Sequence, residues 1–187
     1  MKNKKGGSIL AITGASGSIY AQKMIEILAQ QNKPHRIRII FSEQGEKVWN
    51  FEVNQKIPTC EEIKILSNQD LFADIASGSS GYDRMLILPC SMGTLGRIAN
   101  GISSDLITRA ADVMLKEKKR LILCVREAPY NRIHLENMLK ANIAGSDIFP
   151  LSPFFYNHPL SLEDSIKTLA NRIADFAELD SDAYTWG

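Results

Sequence analysis

Thr13-Gly14-Ala15-Ser16-Gly17 is the first of five loops in this sequence whose residue types can do chemistry. Glycines allow tight backbone turning, and the free N–H groups of a helix start favour a phosphate. The spacing is Gly14-x-x-Gly17, so the dinucleotide fingerprint GxGxxG is absent, and no P-loop lysine follows. A mononucleotide phosphate fits this turn better than NAD or ATP; a turn needed only for packing is the competing reading. Ser42-Glu43 offers a hydroxyl to a ribose or ring edge, or a plain helix N-cap. Ser77-Gly78-Ser79-Ser80-Gly81 is a polar turn or merely a loop. Pro89-Cys90-Ser91-Met92-Gly93-Thr94 sets two hydroxyls and several N–H groups at the opening of a helix. Arg126-Glu127-Ala128-Pro129 places a cation beside a carboxylate, for a charged ligand or as a surface ion pair.

Other reactive types form weaker patterns. Cys90 has no base near it in sequence, and a small core cysteine is the ordinary outcome. Deaminase chemistry needs HxE followed by PCxxC, whereas His134-Leu135-Glu136 comes after Pro89-Cys90 and the second cysteine is missing. Cys60, Cys90 and Cys124 have neither disulfide nor zinc spacing, and the three histidines have no ligand spacing, so no metal is expected. Arg109 and Lys116 lie two turns apart on one helix face, where both can meet an anion or simply be solvated.

The elements that must position these loops alternate from end to end. Short apolar runs at Ser8 to Ile12, Arg36 to Phe41, Ile63 to Leu66, Met85 to Leu88, Leu121 to Val125 and Asp147 to Phe149 predict strands. Helical spacing predicts Ser18 to Gln30, Gln44 to Phe51, Ser104 to Lys116, Ile133 to Asn142 and a last helix opened by a Ser161/Asp164 capping box. Strands apolar throughout and separated by helices mean a parallel sheet covered on both faces, an α/β doubly wound fold in one domain, with a core from about 8 to 178 and a loose tail. In such folds ligands sit beyond the carboxyl ends of the strands.

The charge is +1 over 187 residues. That argues against a nucleic-acid partner, whose affinity rests on many phosphate contacts. The balance conceals 9 basic against 5 acidic residues between Arg97 and Lys140, and 2 against 7 from Asp147 onward, so a local anionic ligand fits. Lys2, Lys4 and Lys5 precede an apolar run at Ile9 to Ile12 that is too short for a signal peptide, and no segment suits a membrane span. A cytoplasmic protein is expected.

Taken together, TGASG at Thr13, SGSS at Ser77, PCSMGTLGRIANG at Pro89, DLITRAADVMLKEKK at Asp105 and REAPYNRIHLENMLK at Arg126 closely resemble the flavin prenyltransferases of the UbiX type, from about Ile9 to Phe176. The resemblance implies a flavodoxin-like or Rossmann subunit that binds reduced FMN and dimethylallyl phosphate and joins the five-carbon unit to flavin N5 and C6, without a metal. It implies FMN contacts at Gly14, Ala15, Ser16, Ser42, Ser91, Met92, Gly93, Thr94 and Arg126. It implies prenyl-phosphate contacts at Arg109, Lys116, Tyr156 and Arg172, with Ser16, Glu52, Lys116 and Glu127 as catalytic residues. Met92 stands where the family often has Thr.

Loss of phosphate from an allylic carbon leaves a delocalised cation, so cations must neutralise the leaving group and aromatic faces must shield the carbon. Phe72, Tyr156 and Trp186 are candidates for the second task. The resemblance further implies a homo-oligomer, a dodecamer, in which Tyr156 and Arg172 serve a neighbour's flavin, and a UbiD-type decarboxylase that receives the product. An FMN-dependent cysteine decarboxylase of the same fold is the alternative. It needs a His after an early strand and a PAMN-type loop, and here Phe41-Ser42-Glu43 ends the second strand. A non-catalytic flavin carrier is the third reading.

Overall fold

The computed structural model describes residues 6–31, 35–57 and 60–184. Lys2, Lys4, Lys5 and Trp186 lie outside the described residues. Six strands, β1 (Gly7–Ile12), β2 (Arg36–Phe41), β3 (Ile63–Leu66), β4 (Arg84–Cys90), β5 (Arg120–Val125) and β6 (Asp147–Pro150), form one parallel sheet in the order β3-β2-β1-β4-β5-β6. That is the order of the Rossmann folds, with its switch point between β1 and β4.

The helices α1 (Ser18–Ala29), α2 (Glu43–Glu52), α3 (Met92–Ala99), α4 (Leu106–Lys116), α5 (Arg132–Ile143) and α6 (Leu162–Phe176) cover both faces. Side chains alternate across the pleat. Ile9 and Ala11 therefore join a core with α3, α4 and α5, while Leu10 and Ile12 join a second core with α1, α2 and α6. Burial on both faces explains why the strands read as continuous apolar runs rather than alternating ones.

Most element ends shift by one or two residues from the sequence expectation, and two departures have specific physical reasons. A proline cannot donate to a ladder, which predicts that β4 stops at Leu88. The strand instead continues to Cys90 through a register shift between Ile87 and Cys90, where the missing N–H costs nothing. Of the predicted capping box at α6, only Ser161 forms its half, accepting from the Asp164 N–H at 3.0 Å. An aspartate is one methylene shorter than the glutamate that usually closes the return bond. Full boxes cap α4 (Asp105 with Thr108) and α5 (Asn131 with His134).

A charged cluster ties β2 to the connection between β3 and β4. Arg38, whose side chain is 10% exposed, reaches Asp74 at 3.3 Å, and the buried Tyr82 hydroxyl donates to the same carboxylate at 2.6 Å. Burial, reinforced by Asp74, pushes the Tyr82 phenol well above its ordinary value. Asp74→Ala leaves both groups without their anion and is expected to cost about 2–3 kcal/mol, read as a lowered urea midpoint. An unchanged midpoint would show that the cluster contributes nothing net.

Candidate functional site

The ends of four strands converge at the switch point. Thr13, the first residue after β1, is fully buried. Its N–H and Oγ1 both donate to the Pro89 carbonyl, at 3.2 and 2.8 Å, and its Oγ1 accepts from the Ser91 N–H at 2.8 Å. One hydroxyl thus clasps β1 to β4. The Ser42 N–H donates to the Ile12 carbonyl at 3.0 Å and the Arg126 N–H to Cys90 at 3.3 Å, which sets β2 and β5 on either side. Gly45 packs so closely on the Ile12 carbonyl that a Cβ there would overlap it, so only glycine lets α2 start against the end of β1.

Within this mouth, Gly14 and Ser16 are exposed and Ala15 is half-buried. Gly17 adopts φ 118°, a left-handed conformation suited to glycine, and provides no side-chain cap for α1. Glu52, from the last turn of α2, supplies that cap. Its Oε2 accepts from the Gly17 and Ser18 N–H groups at 2.9 and 2.8 Å. Burial works to raise the Glu52 carboxyl, but bonds from the Ser16 hydroxyl and these two amides outweigh it and hold it below its ordinary value. The helix start expected to be free for a phosphate is therefore filled by a carboxylate of the chain itself. The sequence could not show this, because 34 residues separate the partners.

The remaining anion-binding capacity lies across the crevice. Ser91 caps α3 by accepting from the Thr94 N–H at 3.4 Å, and Ser42 caps α2 by accepting from Gly45 at 3.0 Å. The Ser42 hydroxyl retains its proton to donate, whereas that of Ser91 donates to Thr94 Oγ1 at 3.1 Å. Thr94 is buried and shares that bond network with Ser91 and Arg97, so it shapes the turn. Met92 packs on the core, while Gly93 is exposed with open space around it. Arg126 is exposed at the end of β5, and among the described residues its guanidinium has no ion pair or hydrogen bond. Glu127 beside it is half-buried and accepts from the Ala128 N–H at 3.0 Å. Complete burial pushes the Cys90 thiol up to about 12, so it stays protonated at neutral pH and cannot act as the nucleophile.

A second group of predicted residues gathers elsewhere. Lys116 ends α4 just before β5 begins, and its ammonium meets Glu117 at 2.7 Å. Glu117 packs against Gly78, whose carbonyl accepts from Lys119 at 3.2 Å. The Ser77 to Gly81 turn thus lies at the amino edge of the sheet, not at the mouth. The seven residues of β4 separate the two edges, a span of about 20 Å. Within one protomer Lys116 does not reach the crevice, and Arg109 is held by Asp112 at 3.2 Å on the outer face of α4.

Arg172 is exposed on α6 and paired with Asp175 at 2.5 Å. Tyr156 lies in the loop before α6, stacked on Phe154 with ring centres 4.7 Å apart. The neighbouring Asn157 donates to Thr168 Oγ1 at 2.9 Å, and Thr168 is one turn before Arg172, so the loop that carries Tyr156 is tied to α6 one turn from Arg172. Phe72 is fully exposed on the loop after β3. Among the described residues no cluster of His, Cys, Asp and Glu could hold a metal ion, and no helix is long and apolar enough to cross a membrane.

A doubly wound sheet whose switch point carries small residues, two capping serines and one free arginine defines a mononucleotide-binding α/β protein. A family model described as Flavoprotein matches residues 1–176. The chain is 40% identical to the flavin prenyltransferase UbiX of Methanocaldococcus jannaschii over 185 residues, covering 96% of this chain and 97% of that one. The crystal structure of AnUbiX (PadA1) in complex with FMN and dimethylallyl pyrophosphate matches with a TM-score of 0.90 at 36% identity, covering 98% of both chains. A dodecameric FMN-dependent UbiX-like decarboxylase from Escherichia coli O157:H7 matches with a TM-score of 0.88 at 32% identity, covering 97% and 99%. The chain belongs to the UbiX family of flavin prenyltransferases.

Proposed function

We propose that the protein joins the dimethylallyl group of dimethylallyl phosphate or its diphosphate to N5 and C6 of reduced FMN. The observation that carries this reading is the unpaired Arg126 guanidinium at a crevice lined by Gly14, Ala15, Ser16, Ser42, Ser91, Met92 and Gly93. A guanidinium opposite a helix start suits one phosphate monoester. Thr94 supports the turn from beneath. Arg109, Lys116, Tyr156 and Arg172 are more phosphate-binding groups than one FMN uses, which favours a second phosphorylated ligand over a flavin carrier.

Reduced flavin supplies the electron pairs, so no protein nucleophile is needed. When the carbon–oxygen bond to the donor phosphate breaks, its electrons stay on oxygen, and Lys116, Arg109, Arg172 and the Tyr156 hydroxyl stabilise that charge. Glu52 Oε2 holds the start of α1, leaving Oε1 and the Ser16 hydroxyl to exchange a proton with the bound ligands. Glu127 balances Arg126. Because Lys116 sits at the opposite sheet edge, the working site takes it from a second copy, and the dodecamer of the Escherichia coli relative supports such an assembly. The product serves a UbiD-type decarboxylase in the cytoplasm.

The test is anaerobic incubation with reduced FMN and dimethylallyl phosphate, followed by mass spectrometry of the flavin. A flavin heavier by one C5H8 unit is expected. Recovery of unmodified FMN from folded protein overturns the reading.

A further inference from the structure

From Ala177 to Tyr184 the described chain after α6 is anchored at several points, and where it is anchored decides what it touches. At Glu178 the backbone takes φ 57° and reverses direction, held by Arg84, which donates to the carbonyls of Ala177 and Glu178 at 2.6 Å each. Leu179 is buried in the core beneath α1 and α6. Gln31, at the end of α1, grips Asp180 from both sides, donating to its carbonyl at 3.0 Å and accepting from its N–H at 2.9 Å. The Asp182 N–H then donates to Oδ1 of the buried Asn171 at 3.4 Å. Four successive anchors thus run the tail back along α6, past the residue next to Arg172. They end at Tyr184, whose ring lies 6.1 Å from that of Tyr156 at an angle of 45°.

Tyr156 therefore packs against two aromatic rings. Phe154 stacks on one side at 16° and Tyr184 leans against it from another. Tyr156 is 52% exposed and sits on a loop, where a lone ring would sample several rotamers. A ring held between offset and tilted neighbours keeps one orientation, because the quadrupoles favour those geometries. The same loop is tied to α6 by Asn157 on Thr168, one turn before Arg172.

From this arrangement we infer that Tyr184 is a positioning residue for the donor-phosphate subsite: it fixes the Tyr156 ring so that its hydroxyl and the Arg172 guanidinium converge on one phosphate. This rests on the proposed prenyl-phosphate role of Tyr156 and Arg172. Among the described residues the ring contact of Tyr184 is with Tyr156, so the effect of its loss is expected on the donor. The ring does the positioning, and the Tyr184 hydroxyl is dispensable.

The experiment is calorimetric titration of dimethylallyl phosphate into the full-length protein loaded with oxidised FMN, which binds donor without turnover, for the wild type, Tyr184→Ala and Tyr184→Phe. Tyr184→Ala is expected to weaken donor binding about five- to tenfold, Tyr184→Phe to restore it, and FMN affinity to stay the same in all three. In the turnover assay the alanine variant then shows a raised KM for the donor at nearly unchanged kcat. Wild-type donor affinity in Tyr184→Ala, equal loss in Tyr184→Phe, or a matching loss of FMN affinity each overturns the inference while the proposed function stands. No donor binding by the wild type overturns the donor-site reading itself and the inference with it.

Discussion

Chains carrying Lys116→Ala and chains carrying Arg126→Ala are each expected to lose prenyl transfer by about a hundredfold or more, and to regain activity when co-expressed. The single losses follow from removing a proposed charge-assisted contact, to the leaving phosphate in one case and to the FMN phosphate in the other. Recovery follows from the roughly 20 Å between the two residues in one protomer. A site drawing Arg126 from one subunit and Lys116 from its neighbour is intact wherever a Lys116→Ala chain supplies the crevice and an Arg126→Ala chain supplies the lysine. Random mixing in a closed assembly makes about a quarter of the sites complete. Neither substitution touches the core, since both side chains are exposed. A mixture as inactive as its parents would show that both residues serve the same protomer's site.

Substitution of Glu52 should separate two tasks of one carboxylate. Glu52→Ala uncaps α1 at Gly17 and Ser18 and is expected to cost about 1–2 kcal/mol of stability. Glu52→Gln keeps a carbonyl oxygen for those amides and should retain most of that stability, yet it cannot take a proton and should transfer the prenyl group about a hundredfold more slowly. The sign of the pH dependence follows from the lowered carboxyl. A group whose folded value is depressed contributes stability above its unfolded value and loses it as pH falls through the folded value. The wild type should therefore lead Glu52→Gln at neutral pH, and the lead should vanish on acidification below the ordinary glutamate range. Stability curves of the two proteins that stay parallel into acid would overturn the assignment. Equal activity of Glu52→Gln and wild type would remove the proton-transfer role.

The sheet was legible because its signal is local. Ile63–Leu66 and Arg36–Phe41 coincide with their predicted bounds, since short runs rich in β-branched residues mark strands locally, at the partly exposed edge strand β3 as in the buried β2. The loops at the mouth were legible for a related reason: strand ends in a doubly wound fold declare where ligands go. What the sequence could not show is pairing at a distance. Glu52 on Gly17, Asn68 on the start of α4 and Tyr184 beside Tyr156 join residues 28 to 39 apart, with no periodicity to mark them. The residue types of the Ser77 to Gly81 turn and of Lys116 suit phosphate, but type alone does not say which end of the sheet they occupy, and chain direction places them at the edge opposite the mouth.

The Thr13 clasp sets the gauge of the crevice. Because one buried side chain holds β1 and β4 together by both donating and accepting, the slot between them cannot widen without breaking several bonds at once. A guest must match a slot of set width, so with the flavin seated as proposed, selectivity is expected to fall to the rim formed by Gly14, Gly93 and Arg126. Tailoring this protein to a bulkier acceptor therefore means recutting those edges and leaving the clasp in place.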